Sequence, residues 1–337
     1  MFFKEYLKEN KTVIIAEIGV NHNGDYELAK DMLLSAIECD VDVVKFQNFD
    51  ADKLVMKHVL PRPHLRSLYK IQHERFRALE LTENQLIELA TITARHGKVF
   101  MSTPSDPDGV DLIDPLVPAF KIGSDDLTNL PLVRHTVKKK KPILLSTGLA
   151  TTCEIERVVL EIPRELLILL HCVSRYPTPL EEINLQAIPF LKKKFDVPVG
   201  YSDHTIGSMA CLGSVSFGAC VVEKHFTLDK DQEYGEHKLS ADPHDMRQLV
   251  QDIRAMEKCI RIQGRKEPGT EEELQWSRKS LVAVKDITKG TTITPDMVLA
   301  LRPGGGISSI DIDKILDKRA TRDITRDTML TFDDMTT

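Results

Sequence analysis

The 337-residue sequence contains no apolar segment long enough to cross a bilayer, so no helical membrane span is expected. Its opening residues, Met1 to Lys11, mix acids with lysines and lack the apolar stretch of a secretory signal. Cysteine is sparse: Cys39, Cys153, Cys172, Cys211, Cys220 and Cys259 form no CxxC pair and show no disulfide-like spacing. Most lie in apolar or helical contexts, which reads as reduced core thiols in a cytoplasmic protein. There is no HExxH sequence, which counts against a tight zinc site of that kind. Long runs of one charge are missing too. The 45 basic and 51 acidic residues are interspersed for a net charge of -6, and only Lys138 to Lys141 stands out. That run reads as the solvated C-terminal end of a helix, where cations suit the dipole. Nothing here points to nucleic acid or an anionic membrane as a partner.

What is present is one theme repeated: a short β-branched apolar run, a polar punctuation, then a stretch of helical period. Strands are expected at 13–18, 41–46, 98–102, 119–122, 142–146, 166–171, 197–201 and 220–224. Helices are expected at 26–39, 82–96, 131–140, 154–162, 184–194 and 208–217. A last one starts near Pro243, with Met246, Leu249, Val250, Ile253 and Met256 on one face. Continuous apolar strands alternating with helices imply a parallel sheet covered on both sides. Eight such units in residues 1–262 fit an α/β fold of the closed (β/α)8 TIM-barrel kind. After that the texture changes. Residues 263–278, charged and carrying Gly264, Pro268 and Gly269, read as a linker. Residues 279–337 hold short strands (281–284, 297–301) among turns such as Lys289-Gly290 and read as a small, mostly β domain. It is small for a core of its own and is expected to pack on another surface.

In such a barrel the reactive residues stand at the C-terminal ends of the strands. Nearly every predicted strand ends in polar groups: Glu17 then Asn21 to Gly24; Lys45 and Gln47; Ser102 and Thr103; Lys121 and Ser124; Ser146 to Gly148; His171, Ser174 and Tyr176; Ser202 to His204; Glu223 to His225. All are expected to converge on one mouth. A lysine inside an apolar strand must find an anion or shift its pKa. Lys45 and Lys121, with donors at Ser124 and Ser146 to Gly148, read as a cage for a phosphate dianion. Pairing with carboxylates across the barrel, or a Schiff-base role, are the competing readings for either lysine. His204 and His225 end consecutive strands and suit an exchangeable divalent ion such as manganese or magnesium. Glu17 and Glu223 are candidates for general acid and base. Asp203 reads as a supporting or structural residue.

These motifs resemble the N-acylneuraminate (sialic acid) synthase family. The likeness is carried by Ala-Glu-Ile-Gly-Val-Asn-His-Asn-Gly from Ala16, Val-Lys-Phe-Gln from Val44, Phe-Lys-Ile-Gly-Ser from Phe120 and Ser-Thr-Gly from Ser146. It continues with Leu-His-Cys at Leu170, Gly-Tyr-Ser-Asp-His-Thr at Gly200 and Val-Glu-Lys-His-Phe-Thr at Val222. The tail, Lys285 to Gly304, is similar to the antifreeze-like (SAF) domain that follows the barrel in that family. The resemblance implies condensation of phosphoenolpyruvate with the aldehyde of an N-acylated amino-hexose to give a nonulosonic acid and phosphate, by C–O cleavage. It implies that His204 and His225 hold manganese, with magnesium or cobalt as alternatives, and that Glu17 and Glu223 are catalytic. Lys45, Thr103, Lys121, Ser124, Ser146 and Ser202 would bind phosphoenolpyruvate. Gln47, Asp126, Tyr176, Glu236 and Arg302 would line the sugar side, Arg302 reaching over from the SAF domain of a homodimer partner.

Three departures fall on the sugar side. The segment after the second strand carries Pro61-Arg62-Pro63-His64, with Tyr69 and Gln72 further on, where the family has Ala-x-Tyr-Gln. The family's Gly-Ser-Gly-Glu is Gly123-Ser124-Asp125-Asp126, and its Gly-Pro-Asp-His is Tyr234-Gly235-Glu236-His237. Moving a carboxylate by one methylene matters to a hydroxyl contact. The expected aldose is therefore either N-acetylmannosamine or a di-N-acylated 6-deoxy sugar, as in legionaminic and pseudaminic acid synthases. Two rivals stand beside this reading. One is a pyruvate-type metal aldolase, which has no phosphate to bind. The other is a catalytically silent sugar-binding or polysaccharide-assembly protein on the same scaffold, which has no need of a cationic, metal-binding pocket.

Overall fold

Eight short runs rich in Val, Ile, Leu and Phe form parallel strands, because each is buried on both faces and only a covered sheet tolerates that. They are β1 (Val13–Gly19), β2 (Val43–Asn48), β3 (Val99–Pro104), β4 (Phe120–Ile122), β5 (Ile143–Ser146), β6 (Leu167–Cys172), β7 (Val199–Asp203) and β8 (Val221–His225). The computed structural model describes residues 6, 9, 11–61, 69–232, 235–260 and 269–336. The expected segment at Arg62 to His64, and Tyr234, lie outside the described residues. The chain divides into two compact units, Met1–Arg261 and Ile262–Thr337.

In the first unit the strand order is β3-β2-β1-β8-β7-β6-β5-β4, all neighbours parallel. β3 and β4 run side by side at the seam, so the sheet curls into a TIM-like barrel. One principal helix follows each strand: α1 (Tyr26–Glu38), α2 (Glu83–Arg95), α3 (Pro107–Ile113), α4 (Leu130–Val137), α5 (Thr152–Val159), α6 (Ala187–Phe195), α7 (Met209–Ser216) and α8 (Pro243–Ile260). Several starts are written locally. Asp25 caps α1, and Thr82 with Gln85 and Thr151 with Glu154 close capping boxes on α2 and α5. Helix α3 is absent from the sequence expectation, being only two turns long and containing Gly109. Its signal is the Asp106 cap followed by Pro107 at the first turn. The Lys138 to Lys141 run does sit at the end of α4, but Lys139 pairs with Asp111 and Lys141 with Asp114, at 2.7 and 2.8 Å.

The buried apolar residues fall into two layers. Val13, Ile15, Val43, Met101, Ala119, Leu144, Ile168, Leu170 and Val221 fill the inside of the barrel. A larger layer, including Ile14, Ala16, Val44, Phe46, Phe100, Leu145, Leu169, Tyr201 and Val222, packs between strands and helices. Strand alternation assigns each residue to one layer or the other. Of the six cysteines, all free, Cys39, Cys172 and Cys211 are buried, while Cys153 and Cys259 are exposed on helices rather than in the core.

The second unit has its own apolar core, among it Leu281, Ile287, Ile293, Val298, Ile307, Ile315, Ile324 and Leu330. This corrects the expectation of a tail with little core of its own. Short bridges tie the loops around an antiparallel pair, β9 (Ser280–Ala283) and β10 (Val298–Leu301). The segment read as a linker is partly structured. Thr270 and Glu273 form a capping box that starts helix α9 (Glu271–Ser277), while residues 263–268 lie outside the described residues. No helix among the described residues is long and apolar enough to cross a membrane.

Candidate active site

Above the inner apolar layer the next inward-facing positions turn polar. They are Glu17 on β1, Lys45 and Gln47 on β2, Thr103 on β3, Lys121 on β4, Ser146 on β5, Cys172 on β6, Ser202 on β7, and Glu223 and His225 on β8. Not every polar strand end joins them. Ser102 points outward and donates to Asn48 Oδ1 at 2.7 Å. His171 also faces the helix layer, stacking beside Tyr201 and donating to the Ile183 carbonyl. Asp203 and Lys224 pair there as well, at 2.7 Å. The expectation that all polar strand ends share one mouth is thus corrected by the two-residue period of the strands.

The lysines have carboxylate partners, Lys45 from the neighbouring strand and Lys121 from across the barrel. Lys45 Nζ lies 2.5 Å from Glu17 Oε2 and 3.7 Å from Glu223 Oε2, and donates to Thr103 Oγ1 at 2.9 Å. Lys121 Nζ lies 3.0 Å from Glu223 Oε1, which also accepts from Ser202 Oγ at 2.9 Å. Gln47 Nε2 donates to Glu17 Oε1 at 3.0 Å. These four charged side chains are at most 6% exposed, so solvent screens them little. Burial pushes the Glu17 carboxyl above its usual range, against the pull of Lys45 and with reinforcement from Glu223. Burial also opposes ionisation of Glu223, but the ammoniums of Lys121 and Lys45 outweigh it and hold that carboxyl below the usual range. Two carboxylates on neighbouring strands, both facing Lys45, are therefore shifted in opposite directions, Glu17 toward holding a proton and Glu223 toward the anion.

Beside the lysines, Ser146 Oγ is buried without a hydrogen-bond partner among the described residues. Ser124 Oγ accepts from the Gly148 amide at 3.1 Å and lies 3.0 Å from Cys172 Sγ. Cys172 was not among the sequence candidates as a site residue, whereas Ser174, expected at the mouth, does lie near it. The inward parity of Cys172 on β6 was the signal available. Gly148 is required by close approach: a Cβ there would come within 2.6 Å of both Cys172 Sγ and Ser174 Oγ.

The two histidines meet on the other side of Glu223. Their ring centroids are 5.4 Å apart, and both are buried. His204 Nδ1 faces the Val173 carbonyl at 2.8 Å, so that nitrogen carries the proton and Nε2 keeps its lone pair. His225 Nδ1 lies 3.1 Å from Glu236 Oε2. Burial lowers both imidazole pKa values, and the neighbouring His204 lowers His225 further, so both rings are neutral at pH 7. The charges of Glu223 and Lys121 act on His204, and those of Glu223 and Lys45 on His225, which makes lysines and histidines one electrostatic site. Among the described residues no three His, Cys, Asp or Glu side chains form a ready metal cage. The donor set present is two neutral imidazoles, which fits a cation whose remaining positions go to substrate and water.

Tyr176 covers the histidines, its ring 4.1 Å from that of His204 and edge-on to His225 at 6.2 Å. Burial, then Glu236 and more weakly Asp125, raises its phenol pKa, so it stays a hydroxyl donor. A cleft of about 530 Å³ opens beside it, between the 175–180 segment and Ile206. Asp126 is half-buried, its carboxyl pushed up to about 6 by burial, and it accepts from Asn129, whose own side chain caps α4. Its neighbour Asp125 is exposed and acts on Tyr176, a candidate the sequence reading passed over. Arg302 belongs to the second unit, exposed at the end of β10.

Residues 32–265 match the NeuB family and residues 278–336 the SAF domain. An N,N'-diacetyllegionaminic acid synthase of Legionella pneumophila is 39% identical over 332 residues, 94% of this chain and 92% of that one. One of Campylobacter jejuni, under the same name, is 39% identical over 330 residues, covering 95% and 99%. Among solved structures, the N-acetylneuraminic acid (sialic acid) synthetase of Leptospira borgpetersenii in complex with citrate aligns with a TM-score of 0.67. It is 29% identical, over 78% of this chain and 88% of that one.

Proposed function

The chain belongs to the NeuB family, as an N-acylneuraminate-type synthase with a C-terminal SAF domain, and we propose that it condenses phosphoenolpyruvate with the open-chain aldehyde of an uncharged N-acylated amino-hexose. The product is a nonulosonic acid of the legionaminic or sialic type. The observation that carries the reading is the pair of inward lysines, Lys45 and Lys121, set among the hydroxyls of Thr103, Ser124, Ser146 and Ser202 and electrostatically joined to two imidazoles. A pyruvate aldolase has no use for two ammoniums, whereas a substrate carrying phosphate and carboxylate matches them.

Each residue then has a physical task. Lys45 and Lys121 exchange their carboxylate partners for the substrate's anionic oxygens, and the unpartnered Ser146 hydroxyl becomes a donor to them. When bound by His204 and His225, a divalent cation, manganese with magnesium or cobalt as alternatives, supplies Lewis-acid polarisation of the aldehyde. The new bond joins C3 of phosphoenolpyruvate to the aldehyde carbon, whose oxygen takes up a proton. Water adds at C2, and the C2–O bond breaks to leave a ketone and free phosphate. Glu17, inclined to hold a proton, and Glu223, inclined to the anion, would give and accept these protons. Gln47, Tyr176 and Asp126 face or frame the sugar side. Carboxylates of Glu236, Asp125 and Asp126 there disfavour a phosphorylated sugar. Arg302 is proposed to reach the N-acyl group of a sugar held in the barrel of a second copy, in a homodimer working in the cytoplasm.

The test is phosphate release from phosphoenolpyruvate with manganese, against N-acetylmannosamine, its 6-phosphate, mannose and diacetamido-trideoxyhexoses. Release with an uncharged acylamino sugar, abolished by EDTA and by His225→Ala, is the expected result. Silence across the panel from folded protein would move the binding-protein reading to the front, and preference for the 6-phosphate would refute the assignment of the sugar side.

A further inference from the structure

Asp203 and Lys224 form a second ion pair that the proposed chemistry does not use, in the helix-facing layer directly behind the histidines. Both side chains are at most 2% exposed, and their charged atoms are 2.7 Å apart. Asp203 is opposite Lys224 in the β7–β8 register; His204 follows Asp203 just past the end of β7, and His225 follows Lys224 as the last residue of β8. The carboxylate is saturated with donors. Besides Lys224 it accepts from Tyr201 Oη at 2.8 Å, from the Thr205 amide and hydroxyl at 3.1 Å each, and from Cys211 Sγ of α7 at 3.3 Å. Lys224 Nζ also donates to the Thr205 carbonyl at 2.5 Å. His204 is thus bracketed by Asp203 and by Thr205, a residue held at three points, just where β7 gives way to loop.

A buried ion pair adds little or nothing to stability compared with apolar side chains of similar volume. Stability alone is therefore a poor reason for one here. Register is a better one: a one-residue slip of β7 or β8 would part the two charges, turning one of them into the barrel, and turn the histidine of that strand into the helix layer. Resting on the reading of the site given above, we propose that the Asp203–Lys224 pair is the positioning device of the histidine pair, fixing the two strand ends so that both imidazoles reach the same cation.

The test replaces both charges at once, Asp203→Asn with Lys224→Met, in the full chain. This leaves no lone buried charge and keeps an acceptor for Tyr201. The expected result is a folded protein of near wild-type thermal stability whose manganese affinity, followed by the EPR signal of free Mn(II), falls ten- to a hundredfold. In the metal-free protein, two-bond nitrogen–proton spectra of 15N-histidine should show His204 losing its fixed Nδ1–H form. A folded variant with manganese affinity within twofold of wild type and an unchanged His204 tautomer would overturn the proposal. If the double variant does not fold, Asp203→Asn with Lys224→Gln, which leaves no buried charge and keeps a polar group at both positions, is read in the same two ways. Wild-type protein that binds no divalent cation would overturn the metal reading of the site instead, and the histidine spectra still decide for or against the pair.

Discussion

Replacing Glu223 by Gln should tighten anion binding while weakening the enzyme, because in the ligand-free site this carboxylate occupies the lysines. Its oxygens lie 3.0 Å from Lys121 Nζ and 3.7 Å from Lys45 Nζ. A phosphate group settling between the same ammoniums would come within about 5 Å of that charge, a repulsion of roughly 1–3 kcal/mol for effective dielectrics of about 80 down to 20. Removing it is worth about a five- to hundredfold gain in phosphate affinity. The same change leaves Lys121 short of its buried partner, so the free protein should lose on the order of 3–5 kcal/mol of stability. Added phosphate should restore part of this by binding only the folded state. Isothermal titration with inorganic phosphate and with phosphoenolpyruvate in EDTA reads the affinity, thermal unfolding at rising phosphate reads the linkage, and turnover should drop at least a hundredfold. Equal or weaker phosphate binding by a folded Glu223→Gln protein would refute the idea that the two lysines form the phosphate cage.

Other expectations follow from particular contacts. Gly148→Ala places a methyl within 2.6 Å of Cys172 Sγ and Ser174 Oγ, so it should cost about 1–3 kcal/mol of stability. It should also raise the KM for phosphoenolpyruvate more than tenfold by displacing the Gly148–Ser124 contact, and an unchanged KM would count against that contact. A pH dependence follows from His22, whose pKa burial lowers from 6.5 to about 4. Between those values the unfolded chain binds a proton that the folded one refuses, so stability is full above pH 6.5 and declines as the pH falls toward 4. The loss is on the order of 3 kcal/mol at about 1.4 kcal/mol per unit. Urea titrations at pH 7 and pH 5 should show it, and His22→Asn should flatten the slope. A slope unaffected by that substitution would remove His22 from the account.

Most of the scaffold was legible in the chain itself, and the physical reason is local. A run such as Val43-Val44 before Lys45, or Leu167 to Leu170 before His171, declares a strand buried on both faces, and the amphipathic 243–260 segment declares a helix. The caps at Asp25, Thr82 and Thr151 are equally local. Four of the described α-helices escaped for the opposite reason, the short Ala51–Leu54 and Gln72–Leu79 among them. Helix α3 is too short for its period to register, and α9 begins in a segment whose charged composition reads as linker. The candidate site divides in the same way. That Glu17, Lys45, Lys121, Ser202, Glu223, His204 and His225 stand at strand ends is a fact of sequence, and strand parity separates them from Ser102, His171, Asp203 and Lys224. What each side chain touches was settled only when the sheet closed. Glu17 meets Lys45 from the next strand, Glu223 meets Lys121 from across the barrel, and Lys224 finds Asp203 behind the histidines. Burial then sets the Glu17 carboxyl above its ordinary pKa, while the Lys121 and Lys45 ammoniums overcome burial and hold Glu223 below it. Those partnerships join residues as far apart in the chain as Lys45 and Glu223, and desolvation has no value until the surrounding layers exist. The sequence by itself determined the elements and which faces they turn inward. Only the tertiary structure decided the pairing of charges, because an ion pair depends on distance through space.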